Sequence, residues 1–324
     1  MYKLITHTDL DGVSCAVLAR LAWGDNVDIT YCQHPVAVAK ALHKMYEKCE
    51  WKQYNLIFIT DLSFDTAILE SIPKFKNIIR VFDHHNSSVE PFSQFPWAKV
   101  TEEYNGHLTC GTELFYDYLL HRNLVSNRDY YVEQVRLYDT WDWFLGNSKI
   151  PYFLANIVFK IGLQYFFRVF SERLKNNDVN ELNIFNQYER DILLVEDERE
   201  QKDVDMFLKQ TYICEVENKT IHPTQTVFKV GIVFNSSMYS SLLGNEMCRL
   251  LNVDIAFMVN LNTSRIEVRT KRDDIDLSEI MSKFYNGGGH CKSAGGVLPV
   301  TPDVIKLCLA NLGTIVSIQR QKKW

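Results

Sequence analysis

An excess of positive charge is missing from this sequence. Its 35 Lys and Arg face 40 Asp and Glu, for a formal net charge of −5. That argues against a protein that coats nucleic acid through bulk charge, while allowing a short nucleic-acid substrate held by a few local contacts. A Cys-x-x-Cys pair is also missing among the eight cysteines, so no zinc ribbon is expected and the thiols read as free and buried in a reducing compartment. Met1 to His7 lack the long apolar core of a signal peptide. Ile150 to Phe170 is the stretch nearest to a membrane span, yet Asn156, Lys160, Gln164 and Arg168 fall at every fourth position. That is the polar stripe of an amphipathic helix packed on a core, whereas each such residue would be costly in lipid. With no internal repeat or low-complexity tract, the expectation is a soluble, cytoplasmic protein with no membrane partner.

The remaining composition, 46% hydrophobic and 23% charged over 324 residues, suits about two globular domains. In the first hundred residues Lys3–Thr8, Val27–Tyr31, Leu56–Asp61 and Ile78–Asp83 are rich in Ile, Val, Phe and Thr, as strands are. Val13, Val17, Leu18 and Leu21 recur at helical spacing between the first two, and Thr66 to Ser71 predicts a helix that Pro73 ends. Strand and helix in alternation predict a parallel sheet, with ligands outside the carboxyl ends of its strands. From about Asn127 to Gln210 the pattern is helical, and Glu189 through Asp205 reads as a solvated connecting helix. After Thr211 strand patterns return (Thr226–Phe234, Asp254–Leu261, Arg265–Thr270), with a helix near Ser240–Leu251. Five of the 14 glycines then fall between Gly287 and Gly296, which predicts a glycine-rich loop in a second α/β domain.

The strand ends carry the chemistry. The first run ends at His7, Asp9 and Asp11, the third at Asp61, the fourth at Asp83, His84 and His85. Taken singly, Asp11 reads equally as a helix N-cap, Asp61 as a turn former, and His84-His85 as a surface loop. Gathered at one sheet edge they do not, because like charges at about 4 Å repel by several kcal/mol at a protein-like dielectric. Imidazole with carboxylate and no thiolate selects Mn²⁺, with Mg²⁺ or Co²⁺ as alternatives. Two such ions can clamp a phosphoryl group during in-line displacement.

These residues carry a resemblance. His7-Thr8-Asp9-Leu10-Asp11-Gly12, Asp61, Asp83-His84-His85 and Asp139 resemble the four ordered motifs of the DHH phosphoesterase family. Gly287-Gly288-Gly289-His290 with Ala294-Gly295-Gly296 resembles the signature of that family's associated C-terminal domain. The opening motif, and Asp139-Thr140-Trp141-Asp142, are most similar to the NrnB-type oligoribonucleases; NrnA-type relatives place three residues between the His and the first Asp.

The resemblance implies a Rossmann-like parallel-sheet DHH domain over residues 1–185, a connecting helix over 186–210 and a smaller α/β substrate-binding domain over 211–324. It implies that His7 and Asp9 hold one manganese ion, that Asp11, His84 and Asp139 hold the other, and that Asp61 bridges them. Asp139 rests on the resemblance alone, and Asp142, three residues on, competes with it. Asp83 would orient a ligand histidine, and His85 would face the scissile phosphate. Gly287, Gly288, Gly289 and His290 would grip the terminal nucleotide. Arg269 would pair a terminal phosphate, with Arg265, Lys271 and Lys292 as weaker candidates. Trp141 and Trp143 read as core more readily than as base-stacking platforms, and Cys15 and Cys291 as packing residues.

The implied activity is stepwise hydrolysis of short RNA oligonucleotides to mononucleotides, from the 3′ end, with no protein partner inferred and a homodimer left open. The rival readings are a 3′-phosphoadenosine-5′-phosphate phosphatase or a phosphodiesterase of cyclic or linear dinucleotides. A related pyrophosphatase fits less well, since its second domain lacks the Gly-Gly-Gly-His stretch. From another class, the chain could be a nucleotide-sensing binding protein, which the full set of metal-motif residues opposes.

Overall fold

The computed structural model describes residues 1–146, 148–176, 179–217, 227–234 and 239–298. The chain divides into two units, Met1–Leu194 and Val195–Trp324. The first is built on five parallel strands, β1 (Tyr2–Thr6), β2 (Val27–Tyr31), β3 (Ile57–Thr60), β4 (Ile79–Asp83) and β5 (Ala98–Val100), in the order 2-1-3-4-5. Helix α1 (Leu10–Trp23) leads from β1 to β2, and α2 (Pro35–Glu47) returns past β1 to β3. The strand order therefore reverses at β1 and β3, and a crevice opens outside their carboxyl ends.

The strands are apolar on both faces because both are covered. Leu4, Phe58 and Phe82 face α1 and the later helices α5 (Gly111–His121), α6 (Asp129–Asp139), α7 (Ile150–Asn156) and α8 (Leu163–Asn176). Ile5, Ile57, Ile59 and Val81 face α2 and two short helices, α3 (Ile68–Ser71) and α4 (Asn86–Phe92). Phe58 is fully buried and its ring lies within 5.6 Å of those of Trp23, Phe115 and Tyr118; burying such a side chain contributes about 1.5–3 kcal/mol. Ahead of α5, β6 (Glu103–Tyr104) and β7 (His107–Leu108) form a hairpin whose Asn105 and Gly106 both have positive φ, the signature of a two-residue primed turn.

The four strands expected in this unit form within two residues of their predicted ends. Helix α2 and strand β5 were not anticipated. The helix predicted over Thr66 to Ser71 is α only from Ile68, and after Pro73 the chain continues as a tight 3-10 turn, Pro73–Asn77. Ile150 to Phe170 is not one helix. α7 runs into a π-helical turn, Ile157–Ile161, and the chain breaks at Gly162 (φ 122°) before α8 begins. Lys160, Gln164 and Arg168 are exposed as the stripe predicts, but Asn156 is buried. Among the described residues no helix is long and apolar enough to cross a membrane. The seven cysteines there are free, but Cys49, Cys214 and Cys291 are exposed rather than buried.

Helix α9 (Gln187–Lys209) contains the division between the units, so the helix expected as a connector contributes turns to both. In the second unit β8 (Tyr212–Glu217), β9 (Val227–Phe234), β10 (Ile255–Asn260), β11 (Arg265–Arg269), β12 (Gly288–His290) and β13 (Ser293–Val297) make one sheet in the order 12-13-11-10-9-8. Only the β9–β10 pair is parallel. α11 (Leu277–Tyr285) covers one face through Leu277 and Met281, while α10 (Ser240–Leu250) and Val204 of α9 cover the other. Thr226 and residues 299–324 of the expected second domain lie outside the described residues.

Candidate metal centre

His7 and Asp9 follow β1 directly. The N-cap of α1 is Asp9, not Asp11: Asp9 Oδ1 accepts from the Gly12 amide at 3.0 Å, while its Oδ2 lies 2.7 Å from His7 Nδ1. Asp11 is thereby placed in the first helical turn and buried. Its two carboxylate oxygens accept from the amides of Gly111 and Thr112, each at 2.7 Å, so the N-terminus of α5 holds it in place. Asp61 follows β3 in a left-handed conformation (φ 53°), which an aspartate tolerates better than most residues. Asp83 closes β4, with His84 and His85 after it, and Asp139 is the last residue of α6.

These side chains converge in three overlapping groups, one of them Asp61, Asp83, His84 and His85. His7, Asp9 and Asp61 offer ligand atoms within 4.8 Å of one another, and so do Asp11, His84 and Asp139. Asp61 Oδ2 lies 3.5 Å from His7 Nδ1, and Asp61 Oδ1 lies 3.4 Å from His84 Nε2. One carboxylate thus turns one oxygen to each of these two groups. His84 Nε2 is 3.3 Å from Asp139 Oδ2 and 3.9 Å from Asp11 Oδ2.

The electrostatics are those of a cluster short of positive charge. Burial, with the charges of Asp9 and Asp11 beside it, pushes the Asp61 carboxyl well above the usual range. Burial likewise raises Asp139 to about 7, with Asp11 and Asp9 adding to the effect. Burial opposes a charged His7, but Asp61 and Asp9 outweigh it and push its pKa up to about 10. Asp61 Oδ2 is buried with no hydrogen-bond partner. Oxygen and imidazole donors around an orphaned, repelling carboxylate fit hard or borderline divalent cations, and no thiolate takes part. Cys15, against Thr112 Oγ1 at 3.5 Å, has its thiol pushed up by burial and is a packing residue.

Two expected placements differ. Asp83 orients His85 and not the ring of His84: its Oδ1 lies 2.7 Å from His85 Nδ1 and meets only the backbone amide of His84, at 2.9 Å. A carboxylate at the end of β4 faces a ring two residues on, whereas His84 turns across to Asp61 and Asp139. Asp142 is outside the cluster and accepts from Arg136 Nη1 at 2.7 Å. The stretch from Gly288 to His290 is an edge strand rather than a loop. It packs so tightly on β13 that a Cβ at Gly287 would meet the Gly295 carbonyl at 1.9 Å.

In that sheet Arg269 pairs with Ser293, and Ser293 with His290, which sets Arg269 and His290 in one row across three strands. Arg269 is buried; its guanidinium donates to Val268 O at 2.8 Å and Ser241 Oγ at 2.7 Å, and its Nε is unpartnered. Lys292 is paired with Asp273. Trp143 is buried and stacks on Tyr152 at 4.9 Å, with Trp141 half-buried against it. Gly111 and Thr112 were missed by sequence reasoning. Their only signal was a small-residue start to a helical pattern, a hundred positions from the aspartate they hold.

No family model matches the chain. Oligoribonuclease NrnB of Bacillus subtilis (strain 168) is 30% identical over 319 residues, which cover 96% of this chain and 76% of that protein. Three solved structures share the fold over 96% of this chain. They are RecJ of Thermus thermophilus in complex with Mn²⁺ (TM-score 0.56, 12% identity, 51% of that chain), an exonuclease RecJ bound to manganese (0.51, 12%, 88%), and an exopolyphosphatase-related protein of Bacteroides fragilis (0.52, 13%, 90%). With the ordered His-x-Asp-x-Asp, Asp, Asp-His-His and Asp motifs now gathered at one sheet edge, the 30% identity over nearly the whole chain shows that this protein belongs to the DHH phosphoesterase family.

Proposed function

We propose that this chain is a manganese-dependent phosphodiesterase that degrades short RNA oligonucleotides stepwise to mononucleotides from the 3′ end, in the cytoplasm. The observation that carries this reading is Asp61, which belongs to the His7–Asp9–Asp61 group and turns its other oxygen to His84 of the Asp11–His84–Asp139 group. The oligoribonuclease identity of the Bacillus relative and the manganese in RecJ support it. His7, Asp9 and Asp61 would hold one ion and Asp11, His84 and Asp139 the other; when bound, such ions polarise a phosphoryl group and lower the pKa of water.

The protein's own groups do the rest. Burial opposes charge on His85, but the Asp83 carboxylate 2.7 Å from Nδ1 raises its pKa, which favours the protonated ring. With Nδ1 engaged, Nε2 donates to a phosphoryl oxygen or to the leaving oxygen. Arg269 and His290, in one row of the second sheet, are the nucleotide-gripping groups of this reading. Asp11 stays fixed by two amides throughout, so its ligand oxygens need no reorganisation.

The test is time-resolved product analysis of end-labelled RNAs of two to twenty nucleotides with Mn²⁺. Mononucleotides should accumulate, fastest from the shortest chains, and Asp61→Ala should abolish them because one change disturbs both groups. Faster turnover of 3′-phosphoadenosine-5′-phosphate or of a cyclic dinucleotide would replace the substrate assignment. Activity surviving in Asp61→Ala would refute the shared carboxylate.

A further inference from the structure

Arg136 lies one turn before Asp139 on α6 and is buried, with a relative exposure of 6%. A buried guanidinium is costly unless its donors are met, and here they bind three separate segments. Nε and Nη2 donate to Glu133 on the same helix at 2.8 and 2.7 Å. Nη1 donates to Asp142 Oδ2 at 2.7 Å, beyond the turn that follows Asp139, and to the Leu108 carbonyl at 3.2 Å. The backbone adds to this, since Thr140 donates both its amide and its hydroxyl to the Arg136 carbonyl at 2.9 Å. The turn carrying Asp139 is therefore fixed on both sides. Leu108 leads directly into the stretch whose Gly111 and Thr112 amides hold Asp11. One side chain ties together the two segments that set Asp11 and Asp139, and no hydrogen bond described for it reaches the segments carrying His7, Asp9 or Asp61.

We propose that Arg136 and Asp142 form a positioning clasp for the Asp11–His84–Asp139 group alone, setting its affinity for a divalent cation independently of the His7–Asp9–Asp61 group. The proposal rests on the two-group reading above. Neither residue touches a ligand atom of the cluster; they act by holding the backbone from which Asp139 and Asp11 project. Groups hydrogen-bonded directly to metal ligands change metal affinity by about 10- to 100-fold when removed, and a clasp acting through the backbone is expected at the lower end of that range.

The experiment is Mn²⁺ titration of the metal-free full-length protein by calorimetry, with its metal-free melting temperature measured alongside. The wild type should show two classes of site. Asp142→Asn should weaken one class by about tenfold or more, the same class that Asp139→Ala abolishes, and leave the other class and the melting temperature unchanged. Arg136→Lys should act in the same direction. Glu133→Gln, which weakens a partner of Arg136 on its own helix and leaves the bonds to Asp142 and Leu108 in place, should leave both classes intact. Wild-type affinity at both classes in Asp142→Asn would overturn the clasp. So would equal weakening of both classes together with a lowered melting temperature, the pattern of a merely structural role. A wild type that takes up no Mn²⁺ would overturn the two-group reading and the clasp with it.

Discussion

Gly111 is a residue at which the centre has little room. A Cβ there would lie 2.9 Å from Asp11 Oδ2 and 2.9 Å from the Asp61 Cα, touching both groups of the cluster at once. Gly111→Ala is expected to cost about 1–3 kcal/mol by overpacking and to lower turnover of an RNA trinucleotide at least tenfold, because Asp11 must move off the α5 amides. A melt and a rate measurement on the same preparation check both. At this scale the sequence was partly legible. His7, Asp9 and Asp11 are near neighbours and announce themselves by type and spacing. Gly111 and the partner of Asp83 do not, since a hundred-residue contact and the direction of a ring are settled only by packing.

Elements were legible where local chemistry decides them. Strand β2, expected over Val27–Tyr31 and formed there, is one case. Helix α11 was not anticipated, although Asp276 caps its start, accepting from the amides of Ser278 and Glu279 at 2.8 and 3.2 Å. Burial works against the Asp276 charge, but the Ser278 hydroxyl and the two amides outweigh it and hold the carboxyl below its usual pKa. Asp276→Ala should therefore destabilise the second unit by about 1 kcal/mol. A depressed carboxyl contributes stability above its unfolded pKa, near 4, and loses it as pH falls through the folded value. The variant and wild type should differ at pH 7 and converge as pH falls below the usual carboxylate range in thermal melts. Where periodicity was the only guide, as over Ile150 to Phe170, one continuous helix was expected. The π turn and the break at Gly162 arise from burying Ile157 and Val158, a demand of the neighbouring helices that helical spacing does not encode.

For the molecule as a whole, the acids of the centre are a stability liability that bound cations would relieve. Asp139 is raised to about 7 and His7 to about 10, and Asp61 is raised as well. The folded chain then binds more protons than the unfolded one from about pH 4 upward, and stability falls as pH rises through that window. The metal-free protein should melt at progressively lower temperature from pH 5 to pH 8, and Mn²⁺ at about a hundred times its dissociation constant should restore about 2.7 kcal/mol at the upper end. A metal-free melting temperature that rises over that range would contradict the charge balance described here.

The sequence by itself determined the strand–helix alternation, the family motifs and the residue types that could hold a cation, because each is written in a few adjacent positions. The tertiary structure alone decided that Asp61 turns one oxygen to each group, that Asp83 serves His85, that Asp142 serves Arg136 and that a glycine stretch becomes an edge strand. Those are outcomes of strand order and close packing, which bring together residues whose separation along the chain carries no local signal.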